Sequence, residues 1–295
     1  MLLSRSTWAA STALASLLLL NACPASESEQ PAETPAEQPA ETPAEQPAEQ
    51  PAADATTKID FAAASSRGKT AMFVPAPSEF QIALAAAEVD AKLGGRLGNP
   101  GTIDGKSKPV VALETGRRVA NVLLAVNDGA KDDVVGRMNS ARDGLKALGA
   151  GEDVLGEVNK LIADYEAGTV GNDELPPAMD ILNQKIQSSL RAGAGEEVAT
   201  LVQAGGWVQG VHLLSSVLAE GEANADQAAL VHQPSVLTYF SDFIKNSSAA
   251  KAGDEDVVIV IGELDGMAEI AKKDALTKED LAAVAERTGN IIARF

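Results

Sequence analysis

Residues 196–221 run EEVATLVQAGGWVQGVHLLSSVLAEG, and the fold class turns on them. Apolar side chains fall on nearly every face of a helix drawn through this stretch: Val198, Leu201, Val202, Trp207, Val208, Val211, Leu213, Leu214, Val217 and Leu218. A helix that is apolar all round belongs in the interior of a protein. Its middle holds Gly205-Gly206-Trp207 and then Gly210. Glycine inside a helix costs about 1 kcal/mol relative to alanine, so such a cluster needs a packing or functional reason. Gly206 and Gly210, four residues apart, share a face, which predicts a close helix–helix contact with Trp207 as the adjoining anchor. The competing expectation is a ligand site formed by Gly205, Gly206, Trp207, Gly210 and His212.

The flanking sequence breaks into helical runs separated by glycine, asparagine and aspartate. One helix is expected from near Ser78 to the Gly94-Gly95 pair, and a second from near Ser107, with Pro109 in its first turn, to Asn127-Asp128-Gly129. Two more, KDDVVGRMNSARDGLKAL and EDVLGEVNKLIADYEA, close at Gly149 and Gly168. Asn172 or Asp173 is the expected cap of ELPPAMDILNQKIQSSLRA. Beyond the central stretch, Asn224 opens a helix that Pro234 should kink or split. The Val257–Ile261 run has strand propensity, but its length and polar flanks favour a helix starting at Asp254. Thr277 and Asp280 have capping-box spacing for a last helix. Short connections make neighbours antiparallel. The expected class is therefore all-α, an antiparallel multi-helix bundle of about nine helices occupying residues 58–295.

Composition bounds the partners. The chain of 295 residues has a net charge of −18, from 24 bases and 42 acids. Eight of those acids lie in residues 24–57 and one base, Arg5, lies in the leader, which leaves 34 acids against 23 bases for the rest. An acidic surface disfavours nucleic acid, whose phosphates need a basic one.

Residues 1–23, MLLSRSTWAASTALASLLLLNAC, carry a basic n-region at Arg5 and an apolar run from Trp8 to Leu20 that is too short to span a bilayer. Leu20-Asn21-Ala22-Cys23 resembles the lipobox of bacterial lipoproteins. That resemblance implies a signal peptide over 1–22 and a lipid on Cys23, the sole cysteine of the chain. It also implies a bacterial envelope location, periplasmic or at the cell surface, with the membrane reached through the lipid. Residues 24–57 then repeat proline every fourth position from Pro31 to Pro51 with glutamate between. With no bulky apolar residue to bury, the segment 23–57 is expected to be a disordered tether. At about 3.1 Å per residue it would reach roughly 100 Å from the anchor.

Tests for chemistry return little. Gly105-Lys106-Ser107 invites a phosphate loop, but Pro100 stands where the first glycine is required. There is no Gly-x-Ser-x-Gly elbow and no alternating acidic calcium loop. The two histidines, His212 and His232, are too few for a zinc site without further ligands. Gly210-Val211-His212 resembles the start of the G-x-H-x-x-E motif of imelysin-type periplasmic proteins, which would imply metal binding centred on His212; Ser215 stands where the acid would be. No cofactor or catalytic residue is predicted, and the leading expectation is a non-catalytic domain that binds a protein or small-molecule partner.

Several segments carry a second resemblance. They are Pro77-Ser78-Glu79, Leu97-Gly98-Asn99-Pro100, Gly116-Arg117-Arg118-Val119-Ala120-Asn121-Val122 and, most closely, Leu201 to Gly210 (LVQAGGWVQG). Together they are similar to a group of bacterial helical lipoproteins with no assigned activity, over about Phe73 to Lys245. Members of that group carry an acid where Gln209 stands and an aromatic-rich, Asp-bearing motif where Arg117 to Asn121 stand. The resemblance implies architecture and location only.

Overall fold

The computed structural model describes residues 77–86, 93–126, 129–221 and 225–295. The leader, Cys23, the proline-rich segment and Asn224 lie outside them. The described residues form an all-α bundle with the helices α1 (Pro77–Ala86), α2 (Leu93–Arg96), α3 (Lys108–Ala125), α4 (Lys131–Leu148), α5 (Glu152–Ala167), α6 (Leu175–Gly193), α7 (Glu196–Glu220), α8 (Ala225–Val231), α9 (Pro234–Lys245), α10 (Ser248–Ala252), α11 (Glu255–Ile270) and α12 (Lys278–Ile292).

Glycine sets the ends of the first hairpins. Gly149 and Gly168 sit at φ 85° and 75°, and their amides close back on α4 and α5 respectively. The left-handed conformation costs glycine nothing and lets the chain reverse at once. Acids fill the first turns of both helices, where the positive end of the helix dipole favours them. Two expectations need correction, and one element was not anticipated. Gly94 and Gly95 lie inside the turn α2, and the chain leaves the helix at Leu97 and Gly98, the latter at φ 64°. The cap of α6 is Glu174, not Asn172 or Asp173. Asn172 is used elsewhere: it accepts from the Tyr165 hydroxyl (2.8 Å) and donates to the Val126 carbonyl (3.0 Å). Finally, Ser247 caps a short helix, α10, that the sequence pattern does not reveal.

Pro234 splits the predicted kinked helix into α8 and α9, itself becoming the first residue of α9, a position that needs no N–H. The Val257–Ile261 run is helical within α11, whose cap Asp254 accepts from the Val257 amide. At α12 the capping box forms in both directions: Thr277 Oγ1 accepts from the Asp280 amide (3.2 Å) and Asp280 accepts from the Thr277 amide (3.0 Å). Thr277→Ala removes one of these bonds and should cost about 1 kcal/mol. A urea midpoint indistinguishable from wild type would show that α12 is held without its cap.

α7 is the centre. Eighteen of its 25 residues are buried, on all sides, so its burial follows directly from the sequence pattern. It packs most extensively on α3, next on α12, and also on α1, α6, α8 and α9. α3 is almost as enclosed, with every residue from Val110 to Ala125 buried. Neighbours in sequence run antiparallel: Arg118 of α3 donates to the Ser140 carbonyl of α4, and Lys185 of α6 pairs with Glu157 of α5. Arg287 of α12 likewise meets Glu263 of α11. One apolar core runs through all of these contacts.

Candidate functional site

The α3–α7 crossing is built on glycine. A methyl group at Gly205 would overlap the Leu113 carbonyl oxygen, and one at Gly116 would overlap the Val202 carbonyl oxygen. The two glycines are the reciprocal halves of one contact between two backbones. The predicted face holds in part: Gly206 lies in this contact, a carbon added at Gly116 falling 2.8 Å from the Gly206 amide nitrogen, but the tightest approach is at Gly205. Gly206 has more room, its added carbon lying 3.3 Å from the Gly116 oxygen, while the nearest atoms to Gly210 belong to a side chain. A carbon there would lie 2.5 Å from the Phe80 ring, so Gly210 makes the seat for that ring. Trp207 is 2 % exposed, with its ring centroid 5.6 Å from that of Phe240. Gly205, Gly206, Trp207 and Gly210 are therefore a packing site, and the space a ligand would need is filled by Leu113, Gly116 and Phe80.

His212 is on the same helix but turned toward α12. Its Nδ1 lies 3.0 Å from the Ala285 carbonyl and 3.1 Å from Thr288 Oγ1. A bond to a carbonyl fixes Nδ1 as the protonated nitrogen. Among the described residues no group of three His, Cys, Asp or Glu side chains is placed to hold a metal ion. Burial lowers the pKa of His212, partly opposed by the Ala285 bond. The folded state thus resists protonation more than the unfolded chain does. Stability contributed by the neutral ring is complete above the unfolded value, about 6.5, and falls as pH drops below it. Wild type should lose more of its urea midpoint between pH 7.5 and 5 than His212→Gln does. Equal losses would remove His212 from the acid response.

The charged centre of the molecule lies on α3 and was carried in the sequence only as part of a resemblance. Glu114, Arg117, Arg118 and Asn121, at spacings of three, four and seven, form one stripe that is 0 %, 5 %, 6 % and 1 % exposed. Glu114 bridges both cations: Arg117 Nε reaches Oε2 at 2.6 Å, and Arg118 Nε reaches Oε1 at 2.9 Å. Arg117 Nη2 also reaches Glu114 Oε1 at 2.9 Å, so that pair is bidentate, and the other bonds from the two guanidinium groups go to neutral carbonyls. Arg117 meets the oxygens of Leu97 (3.4 Å) and Asn99 (3.3 Å), and Arg118 meets those of Gly101 and Ser140. From α4, Arg137 donates to the Gly98 oxygen at 3.1 Å and to Asp133 at 2.9 Å. The Gly101 amide returns a bond to Glu114 Oε1 at 3.0 Å. Segment 97–101 is thus a strap held by three arginines through its backbone. The signal in the sequence was present: an acid three and four residues before two arginines, inside an otherwise apolar helix. Such a set can be buried only if the charges meet each other.

Two open grooves lie elsewhere. One of about 840 Å³ runs between α5 and α6, past Asp153, Glu157, Ile181 and Lys185. One of about 420 Å³ is edged by Glu197, Tyr239, Asp242 and Phe243. Neither includes a residue of the glycine cluster or of the arginine stripe. Among the described residues no helix is long and apolar enough to cross a membrane. Comparison with family models, with curated proteins and with solved structures finds no match.

Proposed function

We propose that the chain is a lipid-tethered protein of the bacterial envelope whose helical domain binds a partner or small ligand without chemical turnover. The observation that carries this reading is Leu20-Asn21-Ala22-Cys23, placed directly after a basic and apolar leader and before a proline- and glutamate-rich segment. Multiple acyl chains on Cys23, each buried CH₂ worth about 0.8 kcal/mol, would give a stable anchor. The following segment would act as a spacer, which suits a domain that meets its partner away from the bilayer. The similarity of Leu201 to Gly210 to bacterial helical lipoproteins fits the same location, and its packing role in the α3–α7 contact accounts for such a similarity by architecture.

The test is expression of the chain in a bacterium with a lipoprotein pathway. Wild type should be recovered in the membrane fraction with an N-terminal peptide beginning at Cys23 and heavier by its acyl groups. Cys23→Ala should be soluble and unmodified. An unmodified Cys23 in wild type would overturn the anchor, and turnover of a hydrolytic substrate by the purified protein would overturn the non-catalytic reading.

A further inference from the structure

The arginine stripe carries more positive charge than its own carboxylate cancels. Arg117 and Arg118 share the single Glu114, and all three are almost wholly buried. Arg137, 7 % exposed, adds a third cation whose partner Asp133 has a side chain 44 % exposed at the rim. An excess of buried guanidinium calls for an anion, because carbonyl oxygens repay its desolvation less well than a charged acceptor would. The bonds from Arg117 to the strap, at 3.3 and 3.4 Å, are also longer than good N–H···O bonds. One turn along the same stripe, Asn121 is 1 % exposed and neither its amide nitrogen nor its amide oxygen has a partner among the described residues. The strap covers part of the two guanidinium groups and is itself open to solvent: Gly98, Asn99 and Pro100 are exposed, and Gly98 has a glycine-favoured φ of 64°.

We propose that Arg117, Arg118 and Asn121 form a binding site for a small oxyanion, which is reached by displacing the strap 97–101. The strap carbonyls occupy the guanidinium edges in place of the anion, and an incoming oxyanion exchanges neutral acceptors for charge-assisted ones. Two guanidinium groups from adjacent positions and an amide one turn along the same helix face offer several N–H donors, which suits an anion with more than one acceptor oxygen. This deepens the ligand-binding reading above but does not depend on the lipid anchor, so fractionation of Cys23→Ala and the test below can fail separately.

The test uses the full chain, titrated with inorganic phosphate, and separately with acetate, against sodium chloride at matched ionic strength. The readouts are the unfolding temperature and the hydrogen exchange of the Gly101 amide, which donates to Glu114 when the strap is closed. A saturable rise in unfolding temperature is expected with phosphate, as for any ligand that binds only the folded state. Faster exchange at Gly101 should accompany it. A larger response to acetate would assign the site to carboxylates within the same class. Asn121→Leu keeps the volume and removes two unpartnered polar atoms, so it should fold and bind phosphate about tenfold more weakly. Arg118→Gln should abolish the response. Neither anion differing from chloride, an unchanged response in Asn121→Leu, or Gly101 exchange unaffected by a bound anion would each overturn the proposal.

Discussion

Replacing Gly205 with alanine is expected to destabilise the domain by about 3 kcal/mol, the upper part of the usual range for overpacking. The added carbon would overlap the Leu113 carbonyl, and a carbonyl inside a helix cannot rotate away. α3 and α7 would have to separate along their whole contact, and every apolar pair between them would loosen. Gly116→Ala should act the same way from the other side, against the Val202 carbonyl. Because both substitutions force the same separation, their effects should combine to less than their sum. Gly206→Ala should cost less than either, since its carbon stands 3.3 Å from the nearest atom. Gly156 supplies the control: it is exposed in α5 and a methyl there meets nothing within 4 Å. Gly156→Ala should therefore stabilise by about 0.5–1 kcal/mol through helix propensity alone. Urea unfolding of the four variants checks the order, and Gly205→Ala matching Gly156→Ala would contradict it.

Glu114→Gln is the second large effect. It keeps the shape of the side chain and an acceptor oxygen but removes the buried negative charge that Arg117 and Arg118 share. Two guanidinium groups 5 % and 6 % exposed would then face each other uncompensated. Removing one partner of a buried ion pair typically costs about 3–5 kcal/mol, and the lower end is expected here because carbonyls of the strap and of Ser140 remain. Arg117→Met should cost less than Glu114→Gln, because it leaves Glu114 paired with Arg118 one to one. Chemical unfolding of both variants checks this. A milder loss in Glu114→Gln would mean that the carbonyls alone hold the stripe.

What was legible in the sequence depends on how local the cause is. The ends of α4 and α5 were readable because a single glycine in the left-handed region decides each of them. The central place of α7 was readable because its apolar residues leave no polar face to turn outward. The break before α9 followed from the missing N–H of Pro234. The contact face of α7 was half legible: a repeat of four selects Gly206 and Gly210, and Gly206 does lie against Gly116, but the crossing with α3 makes Gly205, against Leu113, the tightest approach and leaves Gly210 to the Phe80 ring. Asn172 looked like a cap because its type suits one, yet the Tyr165 hydroxyl and the Val126 carbonyl, from α5 and the end of α3, claim it. The local half of the arginine stripe, Glu114 three and four residues before two arginines, was legible, but the strap was not, since its carbonyls come from about 20 positions away.

The measurement that bears most directly on this architecture is native-state hydrogen exchange across the helices. If the Gly116–Gly205 contact makes α3 and α7 the shared centre of the bundle, their mid-helix amides should exchange last and with one common free energy, that of global unfolding. The exposed turns of α5 and α6 should open earlier. Amides of α3 or α7 exchanging ahead of those of α5 and α6 would contradict the central place given to that pair.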